Sequence, residues 1–213
     1  MMGITSLSPK GHGWHKKFRD ELVSGEEKLQ VEGGAFSESR VNGKFTSDQS
    51  LVYNAVLDAQ NAVISAMRPG VSWVDMHKLA EKTILESLKK GCLLVGDVDD
   101  MMVERMGSIF MPHGLGHLLG IDTHDPGGYL KGAERPTEPG LRSLRTSREL
   151  LEGMVITVEP GCYFIDALLV PAMESSKTSK FFDREEIIRF RGFGGVRIES
   201  DVVLQLLNFI YHI

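Results

Sequence analysis

The chain has 213 residues, 42% hydrophobic and 25% charged, which is the composition of an ordinary globular protein with one large domain or two small ones. Its net charge of −5 offers no basic footprint, so nucleic acid and anionic membrane surfaces are excluded as expected partners. No apolar run of eighteen residues is present to cross a membrane, and the opening "MMGITSLSPKGHGWHKKF" lacks the apolar core of a secretory signal.

Residues 1–45 are glycine-rich, polar and weakly periodic, with a short helix expected around His15 to Leu22 and loop elsewhere. Thr46 then opens a helix, because Gln49 three residues on completes the capping-box spacing. Val52, Ala55, Val56, Ala59, Val63 and Ala66 recur at helical spacing until Pro69 stops the run. Ser72 and Asp75 repeat the cap pattern before a second apolar stripe, Met76, Leu79, Ala80, Thr83, Ile84 and Leu88, which Gly91 ends. A third, shorter helix is expected over Val98 to Met106. Beyond residue 107, "SIFM", "MVITVEPGCYFI" and "GVRIESDVVLQL" are rich in Val, Ile, Phe and Tyr and read as strands. "LKGAERPTEPGLRSLRTSRELLEG" and "PAMESSKTSKFFDREE" read as polar connections, the second leading into a short helical piece that reaches Phe190. Helices first and strands later indicate an α+β fold, with helices packed on a curved, mainly antiparallel sheet.

Three places put ligand-type side chains in unusual company. In "MPHGLGHLLGIDTHDPGG", His113, His117 and His124 crowd together between glycines that permit close backbone approach. In "VITVEPG", Glu159 closes an apolar strand, and in "GGVRIESDVV" Glu199 sits in another β-rich run. A carboxylate at the inward end of an apolar strand is costly to bury unless it is paired or holds a cation. Two carboxylates and an imidazole suit Mn²⁺, Fe²⁺, Co²⁺ or Zn²⁺. The plainer readings stay open at this point: Glu159 as a solvated strand end, and Glu199 as the ion-pair partner of Arg197 on the same strand face. His12, His15, His77 and His212 are expected on the surface. The glycines of "GLGHLLG" lack the strand–loop–helix setting of a phosphate-binding loop. Cys92 and Cys162 are isolated, without metal spacing, as in a protein of the reducing cytoplasm.

Four longer stretches, "FMPHGLGHLLGIDTHDPGGY", "EPGLRSLRTSRELLEGMVITVEPGCYFID", "RFRGFGGVRIESDVV" and "NGKFTSDQSLVYNAVLDAQNAVISAMRPGVSWVDMHKLAE", resemble the Xaa-Pro dipeptidase (prolidase) family. That family belongs to the pita-bread metallopeptidase superfamily, with aminopeptidase P and methionine aminopeptidase. The resemblance implies an incomplete pita-bread fold, with a partial peptidase catalytic domain at 41–203. An unmatched, loop-rich or disordered segment 1–40 and an unmatched apolar tail 204–213 flank it. It implies hydrolysis of dipeptides ending in proline or hydroxyproline by two Mn²⁺ ions, in a cytoplasmic homodimer. By the same resemblance, His117, Glu159 and Glu199 match metal ligands, with Glu159 also shuttling a proton. His113 and His124 match histidines that contact substrate and stabilise the tetrahedral intermediate. Arg145 matches the arginine that grips the substrate carboxylate, and Arg197 one lying behind the bridging glutamate.

The family's two aspartate ligands should precede "NGKFT", and in register those positions hold Val23 and Gly34. Glu27 and Glu38 share the spacing at the wrong register. With three of five ligands matched, the expectation is one Mn²⁺ or none and impaired hydrolysis. The alternative is a non-catalytic pita-bread binding module, or a shortened form that pairs with a full-length subunit.

Overall fold

The computed structural model describes residues 45–205 and 211–212. These lie in one of the two units into which the chain divides, Val31–Ile213. The expected helix at His15 to Leu22, the loop-rich segment 1–40, His12 and the aligned Val23 and Gly34 fall outside the described residues.

Helix α1 spans Ser47–Ala66, and Thr46 caps it as the spacing requires. The Thr46 hydroxyl accepts from the Gln49 N–H at 3.2 Å while the Gln49 side chain accepts from the Thr46 N–H at 2.9 Å. Helix α2 (Trp73–Lys90) follows a short connection, and the two pack along their apolar stripes. Val52, Ala55, Val56, Ala59 and Val63 meet Ala80, Ile84, Leu85 and Leu88 in the buried core. Each fully buried aliphatic side chain of this kind contributes roughly 1.5–3 kcal/mol. Ser72 precedes α2 but makes no side-chain capping bond, contrary to the pattern read from Asp75. The α2 N-terminus is held instead by the Trp73 N–H, which donates to the Arg148 carbonyl at 3.0 Å.

Helix α3 covers Val98–Val103 and stops short of the expected Met106, because Arg105 adopts a left-handed conformation with φ 55°. "SIFM" is not a strand. Gly107–Phe110 forms a one-turn helix, α4, closed by a bond from the Met111 N–H to the Gly107 carbonyl. Four apolar residues are too few for periodicity to separate helix from strand. Tertiary packing decides, since a Cβ at Gly107 would stand 2.5 Å from the Glu81 Cβ.

The two long β-rich segments each break in the middle. The first gives β1 (Val155–Val158) and β2 (Gly161–Phe164). Next comes helix α5 (Asp166–Glu174), where the sequence reading placed a polar connection from Pro171 onward. Leu169, Ala172 and Met173 are buried on it, and that apolar face outweighs the donor Pro171 lacks. Helix α6 (Arg184–Arg189) leads to β3 (Gly194–Arg197), then β4 (Ser200–Val203) and β5 (Tyr211–His212). All pairings are antiparallel, but there are two sheets among the described residues: β1–β4–β5 and β2–β3. The tail thus supplies a strand, with Tyr211 and His212 opposite Val203 and Val202. Helix α1 covers the strands, and the buried Gln60 side chain donates to the Val158 carbonyl at 3.2 Å.

His77, expected on the surface, is fully buried, as is Glu81 one turn on. The His77 Nε2 lies 3.2 Å from Glu81 Oε1. The Arg105 guanidinium completes the cluster, donating to Glu81 Oε1 at 2.9 Å and to the Pro139 carbonyl at 3.0 Å. A buried carboxylate needs such partners, and the cluster draws on helix α2, the turn at Arg105 and the loop at Pro139.

Candidate metal centre

The loop 115–119 lies alongside β1 as an irregular extra strand. Leu119 and Thr157 donate from their N–H groups to the carbonyls of Val155 and His117, and Glu159 donates to Leu115. This antiparallel ladder sets His117 beside Thr157, and Glu159 two residues on shares that face. Gly116 makes the close approach possible, since a Cβ there would sit 1.9 Å from the Thr157 carbonyl oxygen.

Glu159 immediately follows β1 and Glu199 immediately precedes β4, so both carboxylates stand at the break between the two sheets. Glu199, Glu159 and His117 converge, each offering a ligand atom within 4.8 Å of the others. The His117 Nε2 is 3.4 Å from Glu159 Oε1. His117 Nδ1 lies 3.0 Å from the Leu118 carbonyl, which can only accept, so in the tautomer protonated at Nδ1 this bond forms and Nε2 can offer its lone pair to the cluster. That tautomer, two carboxylates and this spacing fit a single divalent cation, whose ligand bonds are about 2.0–2.2 Å long. The buried Thr157 hydroxyl donates to Glu159 Oε1 at 3.0 Å, and Arg197 Nη1 stands 3.4 Å from the other oxygen, Oε2. Arg197 therefore reaches Glu159 across the strands.

His124 is exposed and its ring meets that of His117 edge-on, centroids 4.3 Å apart. Its pKa is lowered by partial burial, then by the nearby His117 and Arg145. Arg145 itself is exposed, on the loop that follows a 3-10 turn at Leu141–Ser143. His113 packs edge-on to Tyr163, centroids 5.4 Å apart, and its Nδ1 lies 2.8 Å from the Gly114 carbonyl, leaving Nε2 buried against Gly161. Asp122 and Asp125 lie outside the cluster, and Asp125 serves the loop by accepting from the Asp122 N–H. Sequence reasoning passed over Thr157 and Tyr163. Thr157 carried a signal, since it shares the face of Glu159 at a two-residue spacing.

Burial lowers the His113 pKa to about 4, with repulsion from Arg197 and His77 adding to it and the Gly114 bond opposing it. In the unfolded chain the imidazole titrates near its ordinary 6.5. Between these values the unfolded state binds the extra proton, so stability falls as pH drops from about 6.5 to about 4. The His113 ring resonances should remain those of a neutral imidazole at pH 5, and a titration midpoint above 6 would contradict this.

The sequence profile of metallopeptidase family M24 matches residues 31–205. Xaa-Pro dipeptidase from Homo sapiens is 60% identical over 163 residues, which is 76% of this chain and 33% of that protein. A probable Xaa-Pro aminopeptidase from Sordaria macrospora is 42% identical over 77% of this chain and 35% of its own length. Among solved structures, Pseudomonas aeruginosa aminopeptidase PepP superposes with a TM-score of 0.58 at 32% identity, over 80% of this chain and 32% of that one. Zinc-substituted Escherichia coli aminopeptidase P in complex with product gives a TM-score of 0.57 at 31% identity, covering 81% and 32%. The chain spans about a third of the length of the curated relatives it matches. The incomplete pita-bread architecture expected from the sequence is therefore the one observed.

Proposed function

The chain belongs to metallopeptidase family M24, and from that premise we propose that it carries part of the machinery of a Xaa-Pro dipeptidase. The substrates are dipeptides ending in proline or hydroxyproline, and His117, Glu159 and Glu199 hold the divalent cation, Mn²⁺. The observation that carries the reading is the convergence of these three side chains, with the His117 Nε2 turned toward Glu159. A bound divalent cation supplies Lewis acidity toward the scissile carbonyl and a nucleophile from water at neutral pH. Glu159, held by Thr157 on Oε1 and Arg197 on Oε2, accepts and returns the proton of the attacking water. The neutral His113, its Nδ1–H directed at the Gly114 carbonyl, can accept at Nε2 without bringing a charge into the site. Arg145, exposed beside His124, offers the planar two-pronged donor that a free carboxylate requires.

Val23 and Gly34 stand where the family's aspartates align, so this chain holds one Mn²⁺ at most and hydrolyses weakly. That departure favours a second reading, a non-catalytic module that pairs with a full-length subunit. The cytoplasm as location is supported by the free Cys92 and Cys162. Among the described residues no helix is long and apolar enough to cross a membrane.

Metal content after dialysis against Mn²⁺, measured beside Gly-Pro hydrolysis, tests the proposal. We expect up to one ion per chain, lost in Glu159→Gln and Glu199→Gln, with any hydrolysis lost alongside it. Two ions would mean that acids of the unmatched segment replace the aspartates. A chain that retains no ion and cleaves nothing would sink the peptidase reading in favour of the module.

A further inference from the structure

Thr157 is 1% exposed in the middle of β1 and touches two of the three members of the donor cluster. Its hydroxyl oxygen accepts from the His117 N–H at 3.0 Å. The single hydroxyl proton then has two acceptors within reach, the His117 carbonyl at 3.5 Å and Glu159 Oε1 at 3.0 Å. The first bond is one that a threonine in many strand pairs can make. The second is shorter and goes to a carboxylate, the stronger acceptor. A proton committed to one lone pair of Oε1 fixes the orientation of the carboxylate, whose Oε1 stands 3.4 Å from the His117 Nε2. Arg197 Nη1, on Oε2, limits rotation of the carboxylate from the opposite side.

On the reading of the cluster as a cation site, we propose that Thr157 is a positioning residue whose hydroxyl ties the backbone of His117 to the carboxylate of Glu159. The hydroxyl makes one rigid unit of two ligands that belong to different segments. Neither the ligand pattern nor the strand pattern requires a hydroxyl at this place. Valine would have the same shape and a higher strand preference. The choice of threonine over valine in the apolar run "VITVEP" is accounted for by these two hydrogen bonds.

The test is the Mn²⁺ dissociation constant by titration calorimetry, with thermal melting of the metal-free chain measured alongside. Thr157→Val should weaken Mn²⁺ binding by about tenfold or more, the usual consequence of losing a group that orients a ligand. Thr157→Ser, which keeps the hydroxyl and loses the methyl, should stay near the parent affinity although its melting temperature falls. A purely structural role would lower the melting temperature of both variants and leave both affinities alone, and that result overturns the proposal. Should Thr157→Val fail to fold, Thr157→Cys, close in volume and a weak donor, is expected to show the same loss of affinity. Glu159→Gln and Glu199→Gln separate the two levels. If they too bind like the parent, or the parent binds no Mn²⁺, the cluster is not a cation site and both readings fall. If they lose the ion while Thr157→Val keeps it, only the positioning role falls.

Discussion

Glu81→Ala should cost about 3–5 kcal/mol of stability, the penalty for stranding a buried charge by removing its partner. The Glu81 side chain is fully buried and that of Arg105 16% exposed, with the Arg105 Nη2 within 2.9 Å of Oε1 and 2.8 Å of Oε2. Without the carboxylate, the guanidinium keeps only the Pro139 carbonyl. His77 then loses the oxygen 3.2 Å from its Nε2. Packing suffers as well, because Gly107 and Gly140 both close on this side chain, a Cβ on Gly140 coming within 2.7 Å of Oε1. Urea denaturation measures the effect. Replacing both charged residues together, Glu81→Leu with Arg105→Met, should recover much of the loss, because apolar groups of similar volume owe nothing to desolvation. A loss below about 1 kcal/mol for Glu81→Ala would show the cluster to be solvated in the way surface pairs are.

Gly116→Ala is expected to destabilise by about 3 kcal/mol, the upper end for overpacking a core, and to abolish cation binding. The added Cβ would meet backbone, the Thr157 carbonyl oxygen at 1.9 Å and its carbon at 2.8 Å, where no side-chain rotation gives relief. Relief requires the loop 115–119 to leave β1. That motion breaks the bond from the Thr157 N–H to the His117 carbonyl and carries His117 away from Glu159. Gly127→Ala is the control: it has no neighbour within 4 Å, so what it costs comes from its positive φ of 99° alone. Denaturation midpoints and Mn²⁺ titration of the two variants make the comparison. Undisturbed Mn²⁺ binding in Gly116→Ala would contradict the close approach.

The parts of this protein that were legible in advance rest on short-range rules. Thr46 and Gln49 announce the first helix because both halves of a capping box lie within four residues. His117, Glu159 and Glu199 stood out because ligand-type side chains in apolar or glycine-rich company are expensive. What stayed hidden depends on partners far along the chain. His77 and Glu81 look like an ordinary helix surface pair one turn apart, and nothing local foretells that Arg105, in a left-handed turn, will close over them. Pro171 masked the helix at Asp166–Glu174, where the buried Leu169, Ala172 and Met173 offset the one backbone donor that the proline lacks. The end of the first strand at Glu159 was legible, but the run around Glu199 promised a continuous strand. The two runs stay paired in one register, and the ladder is interrupted where the two glutamates stand, which only the cross-strand pairing reveals.

The break in the ladder at the two glutamates also governs where the chain can lengthen. The joints at Glu159–Pro160 and Ile198–Glu199 are themselves bonded, the Ile198 N–H donating to the Pro160 carbonyl at 3.3 Å. On one side the register pairs Val158 with Ser200, and on the other Gly161 with Arg197. One extra residue in either joint would slip β2 against β3 and turn every side chain there to the opposite face. The stretch 131–138 is exposed but for a half-buried Pro136, and none of it belongs to a paired strand. Length variation is therefore to be sought there, while the spacing from each glutamate to the strand beyond it is invariant by geometry.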